Sequence, residues 1–134
     1  MPHLVKLREQ ASIKAVTLLC AALLAWPATG FAHHSVSMFE REHTVTLHGE
    51  VKEFQWTNPH SWIQVLVKDA DGNVVEWSLE GGSPGIMGRN GWKRTSLQPG
   101  EEITVEIYPL KTGEAGGCFV EITKADGSKL YYHG

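Results

Sequence analysis

The sequence predicts an all-β fold with a small α content. Three observations carry that prediction. Apolar residues recur at every second position in short runs, such as Val45, Leu47, Gly49, Val51 and again Ile103, Val105, Ile107, the period of a strand with one buried face. The runs are separated by Gly-, Pro- and Asp-rich segments with the composition of turns. Between the third and fourth runs lies the single stretch with helix-start and helix-stop signals. Three strands, a short helix and two further strands is the order of a five-stranded OB-like barrel. A small open sandwich is the alternative.

Residues 1–32 read as a secretory signal peptide. Lys6, Arg8 and Lys14 make a positive leader, Ala15 to Trp26 an apolar run, and Gly30-Phe31-Ala32 a small-residue cleavage site. The apolar run falls short of the roughly 20 residues that span a bilayer as a helix. Leu19 before Cys20 does not suit lipoprotein processing. Cleavage after Ala32 leaves an N-terminal arm, 33–42, and an OB-like β-barrel domain, 43–134, enough chain for one small core.

The first strand is expected over His43 to Trp56. Its apolar phase runs through Val45, Leu47, Gly49 and Val51, then shifts to Phe54 and Trp56. A one-residue shift turns side chains to the other face, so a bulge or sharp coil is expected near Lys52-Glu53. A long bent first strand also suits an OB barrel, where it serves both sides. Trp62 to Val67 forms the second strand, Asp69 to Asn73 a hairpin turn, and Val75, Trp77 and Leu79 the inner face of the third strand. Ser83-Pro84 is a helix N-cap followed by proline at the first helical position. Gly91 suits the residue past the helix end, and Trp92 the hydrophobic contact after it. Ile103, Val105 and Ile107 form the fourth strand, ended by Pro109. Lys111 to Gly117 is a Gly-rich loop. Cys118, Val120 and Ile122 share a phase in the fifth strand, followed by a turn at Asp126-Gly127 and a short apolar end at Leu130-Tyr131-Tyr132.

The chain carries 12 basic and 15 acidic residues. Export removes Lys6, Arg8, Lys14 and Glu9, leaving nine against fourteen, a net charge of −5. That balance argues against nucleic-acid or anionic-lipid partners, and no membrane association is expected after cleavage. Export also removes Cys20. Cys118 is then the only cysteine, so no intrachain disulfide forms, and its phase reads as a small buried apolar residue. Signatures of nucleophile triads, phosphate loops and His-Glu-x-x-His zinc sites are absent. Gly81-Gly82-Ser83 reads as a helix cap, since Glu80 opposes an anion there.

The histidines are the stronger lead. After cleavage His33 carries a free α-amine, which with its own imidazole closes a chelate ring on a metal. His34 offers the alternative of amine, amide and ring. Both modes suit Cu(II), which prefers tetragonal nitrogen ligation. His60, in the Asn-Pro-His turn between strands one and two, is the candidate for a further imidazole. That loop is one of those by which OB folds contact ligands. Trp56 and Trp62 flank it as a ligand-stacking platform or as barrel-rim packing, and Met38 could add a soft ligand for Cu(I). Strand one spans roughly 45 Å if straight, and the arm covers ~33 Å extended. His33 therefore reaches His60 only if the arm folds back along the barrel. Otherwise its neighbours are His43 or His133.

The ordered set Ala32-His33-His34-Ser35, Gly49-Glu50-Val51, Phe54-Gln55-Trp56-Thr57-Asn58-Pro59-His60, Glu80-Gly81-Gly82-Ser83-Pro84, Gly91-Trp92 and Leu97-Gln98-Pro99-Gly100, behind a signal peptide, resembles a family of small exported bacterial proteins known as a domain of unknown function. The resemblance implies a periplasmic single-domain β-barrel and no particular activity. His33, His34 and His60 belong to its pattern; Cys118 does not.

The chain is thus read as a non-catalytic periplasmic binding domain. Copper is the first candidate ligand, held by His33, His34 and His60 and walled by Trp56 and Trp62. The second reading is a protein–protein interaction module, in which the loop, the arm and strand edges dock a periplasmic partner. An oxidative copper enzyme is the third.

Overall fold

Alternation and turn chemistry build the expected barrel. The structure is a computed structural model and describes residues 38–132. Its strands are β1 (Val45–Gln55), β2 (Trp62–Lys68), β3 (Val74–Glu80), β4 (Glu102–Pro109) and β5 (Gly116–Lys124), with a three-residue β6 (Lys129–Tyr131). A helix, α1 (Pro84–Arg89), separates β3 from β4. The strands neighbour one another in the order β3-β2-β1-β4-β5, all antiparallel. The start of β5 then pairs in parallel with the end of β3, through Ser78–Gly116, Leu79–Gly117 and Glu80–Cys118. That pairing closes a five-stranded OB-like barrel, and β6 adds to the second half of β5.

β1 serves both sides, as its length and phase shift require. Its first half pairs with β4 and its second half with β2. The register with β2 shifts between Val51 and Glu53, so the bulge falls at Lys52. Before it Leu47 and Val51 face the core; after it Phe54 does. Gly49 lies where a Cβ would strike the Leu66 carbonyl and the Val65 side chain, so only glycine lets β1 approach β2 this closely. Ile63, Val65, Leu79, Val105, Ile107, Phe119 and Ile122 are fully buried. Each such side chain contributes about 1.5–3 kcal/mol by leaving water.

The phase expected for β5 is corrected. Cys118 and Val120 lie on the outer face, and Phe119 points into the core beside Ile122. The cause is a second register shift: Glu106 pairs with Glu121 but Ile107 with Phe119. Val120 is the extra residue, so Cys118 and Ile122 fall on opposite faces although they are four apart.

α1 is held at both ends by the residues that announce it. Ser83 accepts from the Ile86 N–H, and Pro84 fills the first turn. At the other end Trp92 N–H donates to Met87 O and Gly91 N–H to Gly88 O, with Gly91 at φ +86°. This left-handed closure satisfies carbonyls that would otherwise be orphaned. It also drives Trp92 and Met87, both buried, into the barrel end.

The described part of the arm is anchored by Phe39. Phe39 is buried and bridges Leu110, while Glu40 N–H donates to Pro109 O and Lys111 N–H to Met38 O. Arg41 lies 5.3 Å over the Tyr108 ring. No helix among the described residues is long and apolar enough to cross a membrane.

Candidate functional site

The loop between β1 and β2 docks onto the corner where β3 gives way to α1. The Asn58–Pro59 peptide is cis, and Thr57 Oγ1 donates to His60 O at 2.9 Å. The rest of the anchorage comes from the far side of β3. Ser61 N–H donates to Gly82 O and Gly81 N–H to Ser61 O, both at 2.9 Å. These two bonds prolong the β2–β3 ladder past its last pair, Trp62–Glu80.

The docking sets the imidazole of His60. Its Nδ1 lies 3.1 Å from the Gly81 carbonyl oxygen and 3.0 Å from Glu80 Oε1. A carbonyl only accepts, so Nδ1 carries the proton and donates it. In the neutral ring this leaves the lone pair on Nε2. Among the described residues Nε2 has no hydrogen-bond partner, and the side chain is 39% exposed. This is the arrangement of a histidine whose second nitrogen is held by the fold while the first is free to bind a cation.

Glu80 is the residue that sequence reasoning missed. It ends β3 on the outer face, yet its side chain is only 11% exposed. Trp62 on β2 and Cys118 on β5 flank it in register. Burial pushes its carboxyl above the ordinary value, and the neighbouring His60 pulls it partly back. A count along the hairpin would have found it. Pairing across the Asp69–Asn73 turn matches Lys68 with Val74 and therefore Trp62 with Glu80, which sets His60 just past Glu80.

Cys118, Trp56, Trp62 and Ser61 complete the corner. Cys118 is half-buried, and its thiol is pushed up to about 11, first by burial and then by the Glu80 carboxylate. It is a protonated thiol at neutral pH, not a thiolate nucleophile. Trp56 stacks edge-on with Phe54 at 5.7 Å and packs against the core. Phe54, Trp92, Phe119 and Tyr132 continue from it as neighbouring rings, with centroids 5.3–5.8 Å apart. Trp62 stands instead on the outer face, beside Glu80. Ser61 points inward, fully buried, with no hydrogen-bond partner for its hydroxyl.

His33, His34 and His133 lie outside the described residues. Met38 is exposed at the Lys111 end of the arm, and His43 is exposed just before β1. Among the described residues no group of three or more His, Cys, Asp or Glu side chains could hold a metal.

Barrel closure also brings the arm's attachment point toward the corner. Leu110, which holds Phe39, bonds to Gly116, and Gly116 pairs with Ser78, two residues before Glu80. The arm runs antiparallel to the end of β4, with Glu40 at Pro109 and Met38 at Lys111, so the chain before Phe39 leads away from the level of Glu80.

A family model matches residues 19–119 of the chain, and the chain belongs to that family, a family of unknown function designated DUF6152. No curated protein and no solved structure matches it.

Proposed function

We propose that this member of the family is an exported, signal-cleaved periplasmic protein that binds copper. His60 Nε2 supplies one ligand, and the His33 amine and imidazole, with His34 as the alternative chelate, supply the others. The observation that carries this reading is the His60 ring, with Nδ1–H donated to Gly81 O and Nε2 free among the described residues. Cu(II) takes neutral imidazole nitrogens in tetragonal sets, and one histidine donates only one of them. The α-amine and imidazole freed by cleavage would complete such a set.

The assembly requires the arm to fold back, because the chain before Phe39 runs toward Lys111 and away from the level of Glu80. From Phe39 to Ser78 the route crosses three strand spacings, about 14 Å, with ~7 Å more along β3 to Glu80. Four residues from Met38 to His34 reach about 13 Å extended, and a fifth to His33 ~17 Å. That reach is shorter than the route around the barrel, so His33 or His34 meets His60 only if the arm folds back across the barrel. Trp62 then walls the site from β2, while Trp56 supports it from the rim.

The test is Cu(II) titration of the protein exported with its own leader, so that the cell itself sets the N-terminus, which mass spectrometry then reads. Tryptophan fluorescence should quench and a tetragonal Cu(II) EPR signal with nitrogen hyperfine splitting should appear at one equivalent. An added N-terminal residue and, separately, His60→Ala should each weaken binding at least tenfold, about 1.4 kcal/mol. Spectra that do not respond to copper, or binding indifferent to both changes, would sink the reading and favour the interaction module.

A further inference from the structure

We infer that Glu80 is the positioning and charge-balancing residue of this corner: it holds His60 ready to take a cation at Nε2 and strengthens the hold once the cation is bound. The inference rests on the copper reading for the identity of the cation, but not for the role of Glu80.

The geometry makes the case. Glu80 Oε1 lies 3.0 Å from His60 Nδ1, the nitrogen that donates to Gly81 O. The carboxylate is nearly buried, with Trp62 and Cys118 on either side of it. Among the described residues His60 is its only ion-pair partner. Arg41, the nearby cationic side chain, is committed to the Tyr108 ring and acts on Cys118 and Tyr132.

A buried carboxylate beside a neutral N–H is only partly compensated. A cation on Nε2 spreads positive charge over the ring and brings it to Nδ1–H, directly against Glu80. Gly81 O takes the hydrogen bond, and Glu80 acts beside it through its charge; loss of such an outer-shell group typically weakens metal binding 10–100-fold. The corner therefore favours cations and electrophiles over anions, in line with the acidic net charge.

Two measurements on the same exported protein test this. In the first, Glu80→Gln, which keeps volume and removes charge, should raise the Cu(II) dissociation constant about 10–100-fold and alter the EPR hyperfine splitting. Glu80→Asp should recover part of the affinity. In the second, without metal, diethyl pyrocarbonate acylates imidazole at the free nitrogen: Nε2 attacks a carbonyl carbon, ethyl carbonate leaves, and Nδ1 gives up its proton to the leaving group or to water. Mass spectrometry should find His60 modified several-fold more slowly in Glu80→Gln. Near-UV circular dichroism confirms that each variant is folded. If Glu80→Gln does not fold, Glu80→Asp carries both comparisons with smaller expected losses. Wild-type binding that Glu80→Gln leaves unchanged, while His60→Ala abolishes it, overturns the role of Glu80 and spares the copper reading. A wild type that ignores copper overturns that reading instead. The acylation rate then decides on Glu80 alone, and an unchanged rate overturns its role.

Discussion

β2 has a turn at each end, and the two are built in opposite ways. The Asp69–Asn73 turn is self-contained. Asp69 Oδ1 accepts from the Asp71 and Asn73 N–H groups, Asp69 N–H donates to Asn73 O, and Gly72 supplies the left-handed residue at φ +85°. Every partner lies within four residues. The 57–61 loop has one such local bond, Thr57 to His60. Its other anchors, Gly81, Gly82 and Glu80, are some twenty residues further along the chain. A turn that satisfies itself needs nothing from the rest of the barrel. A loop satisfied from outside can hold a side chain in an orientation that its own sequence would not choose.

That contrast should first break at Gly81. A Cβ there would meet the Phe119 ring. The ring is fully buried, with Trp92 at 5.3 Å and Tyr132 at 5.6 Å, so it has nowhere to go. Gly81→Ala should cost about 2–3 kcal/mol by overpacking, read as a lower urea midpoint. It should also release His60 from its acceptor, weakening copper binding. Gly82→Ala meets Tyr132 instead, a ring only half-buried and so freer to yield than Phe119, and should cost less. A Gly81→Ala protein as stable as wild type would mean that the corner is looser than its contacts imply.

The self-contained turn should respond to a different change. Gly72 has open space around its Cβ position, so sterics with neighbours are irrelevant and only the backbone conformation matters. Gly72→Ala should cost about 1 kcal/mol, the penalty of a left-handed non-glycine residue. It should leave the copper titration and the His60 acylation rate unchanged. A change in either would show that the two turns communicate through β2.

The same contrast explains what was legible in the sequence. Asp69-Ala70-Asp71-Gly72-Asn73 announces its turn because its bonding is local, and Ser83-Pro84 with Gly91-Trp92 announces α1 for the same reason. The Lys52 bulge was visible because apolar residues sit on both sides of the phase shift. The β5 bulge was not, because Cys118, Val120 and Ile122 offer an unbroken alternation that hides Phe119. His60 was visible as a histidine in a turn, but its partner was not. A glutamate ending a strand reads as exposed, and only the closure of β5 onto β3 encloses it.

The smallest expected effects separate the two turns by the sign of their pH dependence. Hydrogen bonds from Asn73, first from its side chain and then from its backbone, hold the Asp69 carboxyl below its ordinary value. A depressed folded value means that its stabilisation is present above the unfolded value, about 3.9, and is lost as pH falls through the folded one. Burial raises the Glu80 carboxyl, which reverses the sign. Its contribution is full below the unfolded value, about 4.3, and is lost as pH rises through the folded one. Unfolding midpoints measured from pH 2 to 7 should therefore show Asp69→Asn losing part of the acid limb below pH 4. Glu80→Gln should gain on wild type above that pH and converge with it below. The metal-free Glu80→Gln protein should thus be the more stable one at neutral pH while binding copper more weakly. A carboxylate kept for packing alone would give the opposite result, with Glu80→Gln less stable at pH 7. A residue that lowers the stability of the empty protein and raises its affinity for a cation is one whose cost is recovered only when the cation is bound.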